Sequence, residues 1–377
     1  METKYNMVKR AIQSDIMDGT YLPHQKISSE SELMAQFKVS RHTVRLAIGD
    51  LVAKGWLYRE QGSGTFCADR KEEQDTIQAV ERKNIAIITT YISDYIFPSI
   101  IRGAESILSQ AGYQVSIFST NNDHEKEREI LEKILSQPFD GVIVEPTKSA
   151  FSNPNINYYL NLERLSIPYI MINAYYDELE PMSLVMNDEK GGFIQTEHLI
   201  QLGHTEIAGI FKTDDLQGTK RMKGFLKAHR RYGIPLNPKN IITYHTEEKD
   251  IKPVKNLEKM LFTEEARGIT GLVAYNDELV MNVLNLLRNK EMQVPNDLSI
   301  VGYDDSFFTE VSEVKLTSVA HPKSEMGKEA AKTILDLIKR KSSNKVNAPK
   351  QLEPIVYDPS LIVRSSTVKV GGVEVSS

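Results

Sequence analysis

Ser40, Arg41, His42 and Arg45 stand close together in the stretch VSRHTVRLAI, Val39 to Ile48. At 100° per residue, Val44, Ala47, Ile48 and Leu51 share one arc of a helix, while Arg41, His42, Arg45 and Gly49 fill the neighbouring arc. A guanidinium fork matches O6 and N7 of guanine, or a phosphate, with two parallel hydrogen bonds. Two such forks one turn apart therefore suit a polyanion. Ser40 can cap the helix by accepting a first-turn N–H, which places the positive helix end beside the arginines. A merely solvated basic face is the competing reading, and the flanking residues must decide.

A second set of polar residues follows short apolar runs farther along the chain. Glu145 follows GVIV, Asn173 follows YIMI, Asn276 and Asp277 follow GLVAY, and Asp304 and Asp305 follow SIVGY. Carboxylates and amides that hold neighbouring hydroxyls are what a small polyol requires, and Tyr91, Tyr95, Phe97 or Tyr303 could cover its apolar ring face. Any one of these polar residues is equally well explained as a helix cap. Metal chemistry fits poorly. The eight histidines form no HExxH spacing, and an Asp304–Asp305 pair alone is weak evidence for a divalent ion. His204, just before a strand, reads as structural. With no GxSxG, P-loop or dinucleotide fingerprint, no catalytic residue is assigned and no cofactor is expected.

The elements that position these residues follow from periodicity. Tyr5, Val8, Ile12 and Ile16 mark one helix face, closed by Gly19. Ser29 and Glu32 have capping-box spacing at the start of a second helix carrying Leu33 and Phe37. After the Val39–Ile48 stretch, Trp56–Glu60 and Thr65–Ala68 read as two short strands joined through Gly62 and Gly64, with Cys67 a strand residue. Three helices and a hairpin make a winged helix-turn-helix, in which the third helix enters a major groove and the wing tip, Gln61 and Gly62, approaches the DNA beside it. Residues 71–83 are highly charged and read as a connector, mobile or a short exposed helix. From Asn84 the pattern changes to strand-like runs alternating with amphipathic helices, which implies parallel sheets covered on both faces, in two lobes. Ligands of such sheets bind beyond the carboxyl ends of the strands.

Composition is that of a globular protein, with 40% hydrophobic and 26% charged residues. Net charge is −5, yet residues 1–70 carry 10 Lys and Arg against 8 Asp and Glu, so any polyanion site belongs near the N-terminus. One cysteine excludes an internal disulfide, and the start METKYNMVKRAI has no signal-peptide core. No apolar run approaches the roughly 20 residues of a membrane span. A cytoplasmic protein without membrane attachment is expected.

The segment Lys4–Ala68 resembles the GntR family of bacterial regulators through Ser29–Leu33, Phe37–Ala47, Leu51, Gly55, Leu57 and Gly62–Phe66. Cys67 departs from the β-branched residue usual there. The resemblance implies DNA contacts by Lys4, Glu30, Ser40, Arg41, His42, Thr43, Arg45, Gln61 and Gly62. Asn84 to about Arg364 resembles the effector domain of LacI-type regulators, similar to periplasmic sugar-binding proteins, through LGHTEIAGI, RMKGF, AYNDELVM, VPNDLSIVGYDDS and LTSVAHP. That implies effector contacts by Tyr95, Phe97, Glu145, Asn173, Arg221, Asn276, Asp304 and His321. Expected boundaries are 1–70 for the DNA-binding domain, 71–83 for the linker, 84–367 for the sugar-binding and dimerisation domain, and 368–377 for a tail. The pairing resembles arabinose-responsive repressors of Bacillus-type bacteria, which implies a homodimer on a palindromic operator, released by L-arabinose. The residues themselves indicate only a small polyhydroxylated effector. The alternative, a GntR-type reader fused to a pyridoxal-dependent enzyme, needs a longer C-terminal part.

Overall fold

The structure is a computed structural model that describes residues 3–69, 83–92, 95–262, 268–342 and 353–371. The expected linker, apart from Lys83, lies outside the described residues.

The N-terminal part folds as the periodicity predicts. Helices α1 (Lys4–Met17), α2 (Glu30–Phe37) and α3 (Arg41–Ala53) precede a hairpin of β1 (Leu57–Glu60) and β2 (Gly64–Cys67). Val8, Ile12, Leu33, Val44, Ala47, Leu51 and Leu57 are fully or almost fully buried and form its core. Ser29 and Glu32 close a reciprocal capping box on α2. Ser40 Oγ accepts the N–H of Thr43 at 3.2 Å, fixing the start of α3. The turn between α2 and α3 passes through Lys38 at φ 51°, a left-handed C-cap.

The remainder forms two α/β lobes. Lobe N is the sheet β13-β7-β6-β5-β3-β4, all parallel: β3 (Asn84–Thr89), β4 (Gln114–Ser119), β5 (Gly141–Val144), β6 (Tyr169–Ile172), β7 (Ser183–Met186) and β13 (Ile355–Tyr357). Lobe C is the sheet β14-β12-β11-β10-β8-β9: β8 (Ile207–Lys212), β9 (Ile241–Tyr244), β10 (Gly271–Ala274), β11 (Ser299–Asp304), β12 (Thr317–Ala320) and β14 (Leu361–Ile362), the last antiparallel to β12. β7, β12, β13 and β14 go beyond the strands read from the sequence. The chain passes between lobes three times, after Met186, after Ala320 and after Tyr357. In each sheet the strand order reverses beside its first strand, β3 or β8, so the carboxyl ends of those strands and their neighbours open a crevice.

The tail expected from residue 368 begins later. His204, buried, has Val368 O 2.9 Å from its Nε2 and Thr270 Oγ1 2.9 Å from Nδ1, and Val370 N–H donates to Leu202 O. These bonds keep the chain on lobe C to Val370, and they give His204 the structural role its position suggested.

The reader rests on lobe N through α1. Ser14 Oγ is 3.1 Å from Tyr158 Oη and donates to Glu132 Oε1 at 3.3 Å. Arg10 meets Glu129 at 3.3 Å, and buried Asn161 donates to Met17 O. Glu129 and Glu132 lie on the helix His124–Ser136, whose N-cap, Asp123, follows directly on Asn122 at the mouth of the crevice. Among the described residues, no helix is long and apolar enough to cross a membrane.

Candidate DNA interface and effector cleft

On α3, Arg41, His42 and Arg45 are exposed while Val44, Ala47, Ile48 and Leu51 are buried, the division the helical projection predicts. Thr43 is half-buried, its hydroxyl 2.9 Å from Ser40 Oγ, so both residues organise the helix start. Arg45 Nε–H donates to both oxygens of Glu30 at 3.0 Å, and Arg41 Nε lies 3.7 Å from the same carboxylate. Glu30 therefore acts on the arginines. As an anion it gains nothing from a phosphate, and its place explains how two long cationic side chains are oriented together. Lys4 is exposed at the start of α1. Gln61 and Gly62 are exposed at the hairpin tip, where Gly62 has φ +81° and open space around the position of a Cβ.

The crevice between the lobes gathers most of the second set. Tyr95, Phe97, Glu145, Arg221, Asn276 and Asp304 all line it. Asn173 and His321 stand one layer behind. His321 Nε2 is 3.0 Å from Asn173 Oδ1, and Asn173 Nδ2 donates to Glu145 Oε1 at 2.9 Å. Thr90 donates to Glu145 Oε2 through both its N–H and its hydroxyl, at 3.0 and 2.5 Å. Burial pushes the Glu145 carboxyl up, and these hydrogen bonds with nearby Lys212 oppose the rise. Burial lowers His321 to about 4, so it stands neutral and acts through Asn173.

Lobe C supplies the other wall. Arg221 is buried on the helix Leu216–Tyr232, which packs backbone to backbone on the helix Asp188–Gln201. A Cβ at Gly192 would come within 2.1 Å of Arg221 O, and one at Gly224 within 2.1 Å of Glu189 O. That closeness lets Arg221 Nε donate to Asp188 Oδ1 at 2.8 Å, while Nη1 donates to Tyr275 O and Nη2 lies 3.6 Å from Asp304 Oδ1. Burial raises the Asp188 carboxyl to about 6 against the pull of Arg221. Tyr303, read as a possible cover for a sugar ring, is fully buried with the Arg221 guanidinium 3.5 Å above its ring. Its role is to hold Arg221 by cation–π contact. Asn276 does what a cap does, accepting Leu279 N–H at 3.0 Å, and lines the cleft as well. Asp304 and Asp305 point to different partners, Tyr95 and Arg364, so they do not form a joint cation site.

Sequence reasoning missed Lys212 and Asp215, paired at 3.1 Å on the cleft wall, and Tyr275, whose hydroxyl donates to Asp215 at 2.6 Å. Lys212 ends β8, so the strand-end rule would have found it. Burial opposes its charge, but Asp215 and Asp214 outweigh this and raise its pKa above that of a free lysine.

The lobes touch on both flanks of the cleft. Tyr95 Oη donates across to Asp304 Oδ2 at 2.7 Å and accepts Asp277 N–H at 3.0 Å. On the opposite flank Asn122 Nδ2 donates to Thr246 Oγ1, Leu216 N–H donates to Ser149 Oγ at 3.0 Å, and Lys148 pairs with Glu247. This is a closed cleft.

A winged-helix reader joined to a two-lobed crevice lined with acids, amides and aromatics defines a DNA-binding regulator with a small-molecule sensor. Residues 4–67 match bacterial regulatory proteins of the gntR family, and residues 196–367 match the periplasmic binding protein-like domain. The chain is 59% identical over 98% of both chains to the arabinose metabolism transcriptional repressor of Halalkalibacterium halodurans. It is 47% identical to that of Geobacillus stearothermophilus, over 97% of this chain and 98% of the other. A LacI family transcriptional regulator from Enterococcus faecium, solved with bound ribose, superposes with a TM-score of 0.62 at 26% identity, over 76% of this chain and 99% of that one. The chain belongs to the arabinose metabolism transcriptional repressors.

Proposed function

We propose that this repressor binds a palindromic operator as a homodimer in the cytoplasm and that L-arabinose, bound between the lobes, releases it. The observation that carries the effector reading is Asp304 Oδ1. It is buried at the cleft wall without a hydrogen-bond partner among the described residues, beside the Arg221 guanidinium. A buried acceptor left unpaired costs about 1–3 kcal/mol, which a sugar hydroxyl would recover. Glu145 and Asp215 add acceptors, Arg221 and Asn276 add donors, and Phe97 and Tyr91 offer apolar faces. Lys212, held protonated by two aspartates, is a poor Schiff-base nucleophile, which supports a sensor over a pyridoxal enzyme.

Coupling to DNA has a physical route. Closure is registered at Asn122, and the helix that starts beside it holds α1 of the reader through Glu129 and Glu132. A ligand that favours the closed lobes thereby biases the placement of the two readers in a dimer, and by linkage DNA disfavours the ligand. A thermal-shift screen of pentoses and hexoses on the full chain tests the effector reading. L-Arabinose at 100 times its Kd stabilises by about 2.7 kcal/mol. No shift with L-arabinose, or a larger shift with another sugar, contradicts the assignment.

A further inference from the structure

The reading face of α3 contains a side chain that no polar chemistry accounts for. Leu46 is 50% exposed, although it sits one residue after Arg45 on a helix whose Val44, Ile48 and Leu51 are buried. Spacings of four, three and four residues put His42, Leu46, Gly49 and Ala53 on the side of α3 opposite Val44, Ala47 and Leu51. Among the described residues nothing covers this side: His42 and Ala53 are exposed, and a Cβ at Gly49 would meet no atom within 4 Å. Glu30 holds Arg41 and Arg45 along one edge of the same face, so Leu46 is continuous with the surface that carries the DNA-contacting arginines.

Base edges in the major groove present hydrogen-bonding groups and one apolar group, the 5-methyl of thymine. A leucine can neither donate to nor accept from the polar edges. Against adenine or cytosine it would strip water from an exocyclic amine and return nothing. Against thymine it covers a methyl and is covered in turn. We propose that Leu46 is a specificity-determining residue that reads the 5-methyl group of one thymine per half-site, next to the bases read by the arginines. This rests on α3 being the helix that enters the major groove.

The test separates the proposal from that reading. Full-length protein selects binding duplexes from a randomised pool, and each thymine of the best duplex is then replaced, one at a time, by deoxyuridine, which removes only the methyl. Burying one such group is worth about fourfold in affinity. One position per half-site should show that loss with the wild type and none with Leu46→Ala, while Leu46→Ala leaves binding to random duplex unchanged. Circular dichroism checks that the variant is folded, as expected for an exposed leucine replaced by a strong helix former. Selection with Leu46→Ala should also yield a motif that has lost its thymine preference at that position alone. If no deoxyuridine position weakens the wild type, or if the loss persists in Leu46→Ala, the proposal is wrong while DNA reading by α3 stands. A pool that never enriches overturns both.

Discussion

Replacing Asp304 by asparagine removes one negative charge from the cleft and almost nothing from its volume. Oδ2 takes the Tyr95 hydroxyl at 2.7 Å, and Oδ1 lies 3.6 Å from Arg221 Nη2 with no hydrogen-bond partner among the described residues. The asparagine oxygen can still accept from Tyr95. Its amide then presents N–H groups toward the cleft and toward a guanidinium that is itself all donor. A sugar hydroxyl that donated to the carboxylate loses a bond to a charged acceptor, worth about 1.5–3 kcal/mol, which is roughly ten- to a hundredfold in Kd. α3 and the wing make no contact with Asp304, so affinity for a selected operator in sugar-free buffer should stay at the wild-type value. Calorimetry of L-arabinose binding and anisotropy on the operator measure the two quantities on one preparation. In a cell the variant represses and sugar fails to release it. Sugar binding within twofold of wild type, with normal release, refutes the assignment of Asp304 as an effector ligand.

Three further outcomes follow from the same structure. Arg45→Ala should cost about 1–3 kcal/mol on the operator and far less on random duplex, whereas equal losses on both would mean phosphate contact only. Gly62→Val forces a β-branched residue to φ +81° at an open hairpin tip, so it should weaken operator binding with little change in circular dichroism, and unchanged affinity would remove the wing from the interface. His321 titrates at about 4 in the fold against about 6.5 when free, so between those values the unfolded chain binds the proton and the native state does not. Stability from this group is complete above pH 6.5 and is lost on acidification, by about 2 kcal/mol at pH 5. Asp188 and Asp277, raised to about 6 and about 7, act in the opposite sense over the same range. The difference between His321→Gln and wild type isolates the histidine: the variant should lose about 2 kcal/mol less between pH 7.5 and pH 5, and parallel pH dependences would contradict the buried neutral imidazole.

Local signals made the reader legible. An apolar arc, a serine cap and a capping box are each written within a few residues, and α2, α3 and the hairpin form where they indicate. The cleft was legible only in part. Strand ends pointed to Glu145, Asn276 and Asp304, but β11 is buried on both faces, so alternation could not tell that Tyr303 lies under Arg221 and away from the cleft. Arg221 itself stands mid-helix, and it reaches the site because Gly192 and Gly224 let two helices touch, a tertiary fact with no local trace. Lys212 is the polar last residue of an otherwise apolar strand, and nothing in its local sequence sets it apart from a solvated strand end. The edge strands β13 and β14 are three and two residues long, too short for a period to show.

The proposed switch is a single sugar, held between the lobes, that decides whether the reader stays on DNA. It is tested most directly by titrating L-arabinose into the full-length protein bound to its selected operator and following anisotropy. Release should be saturable, with a midpoint that tracks the calorimetric Kd, should be absent with sugars that give no thermal shift, and should move to roughly ten- to a hundredfold higher concentration in Asp304→Asn. A complex that stays intact at saturating L-arabinose, or that wild type and Asp304→Asn release at the same concentration, would contradict the account.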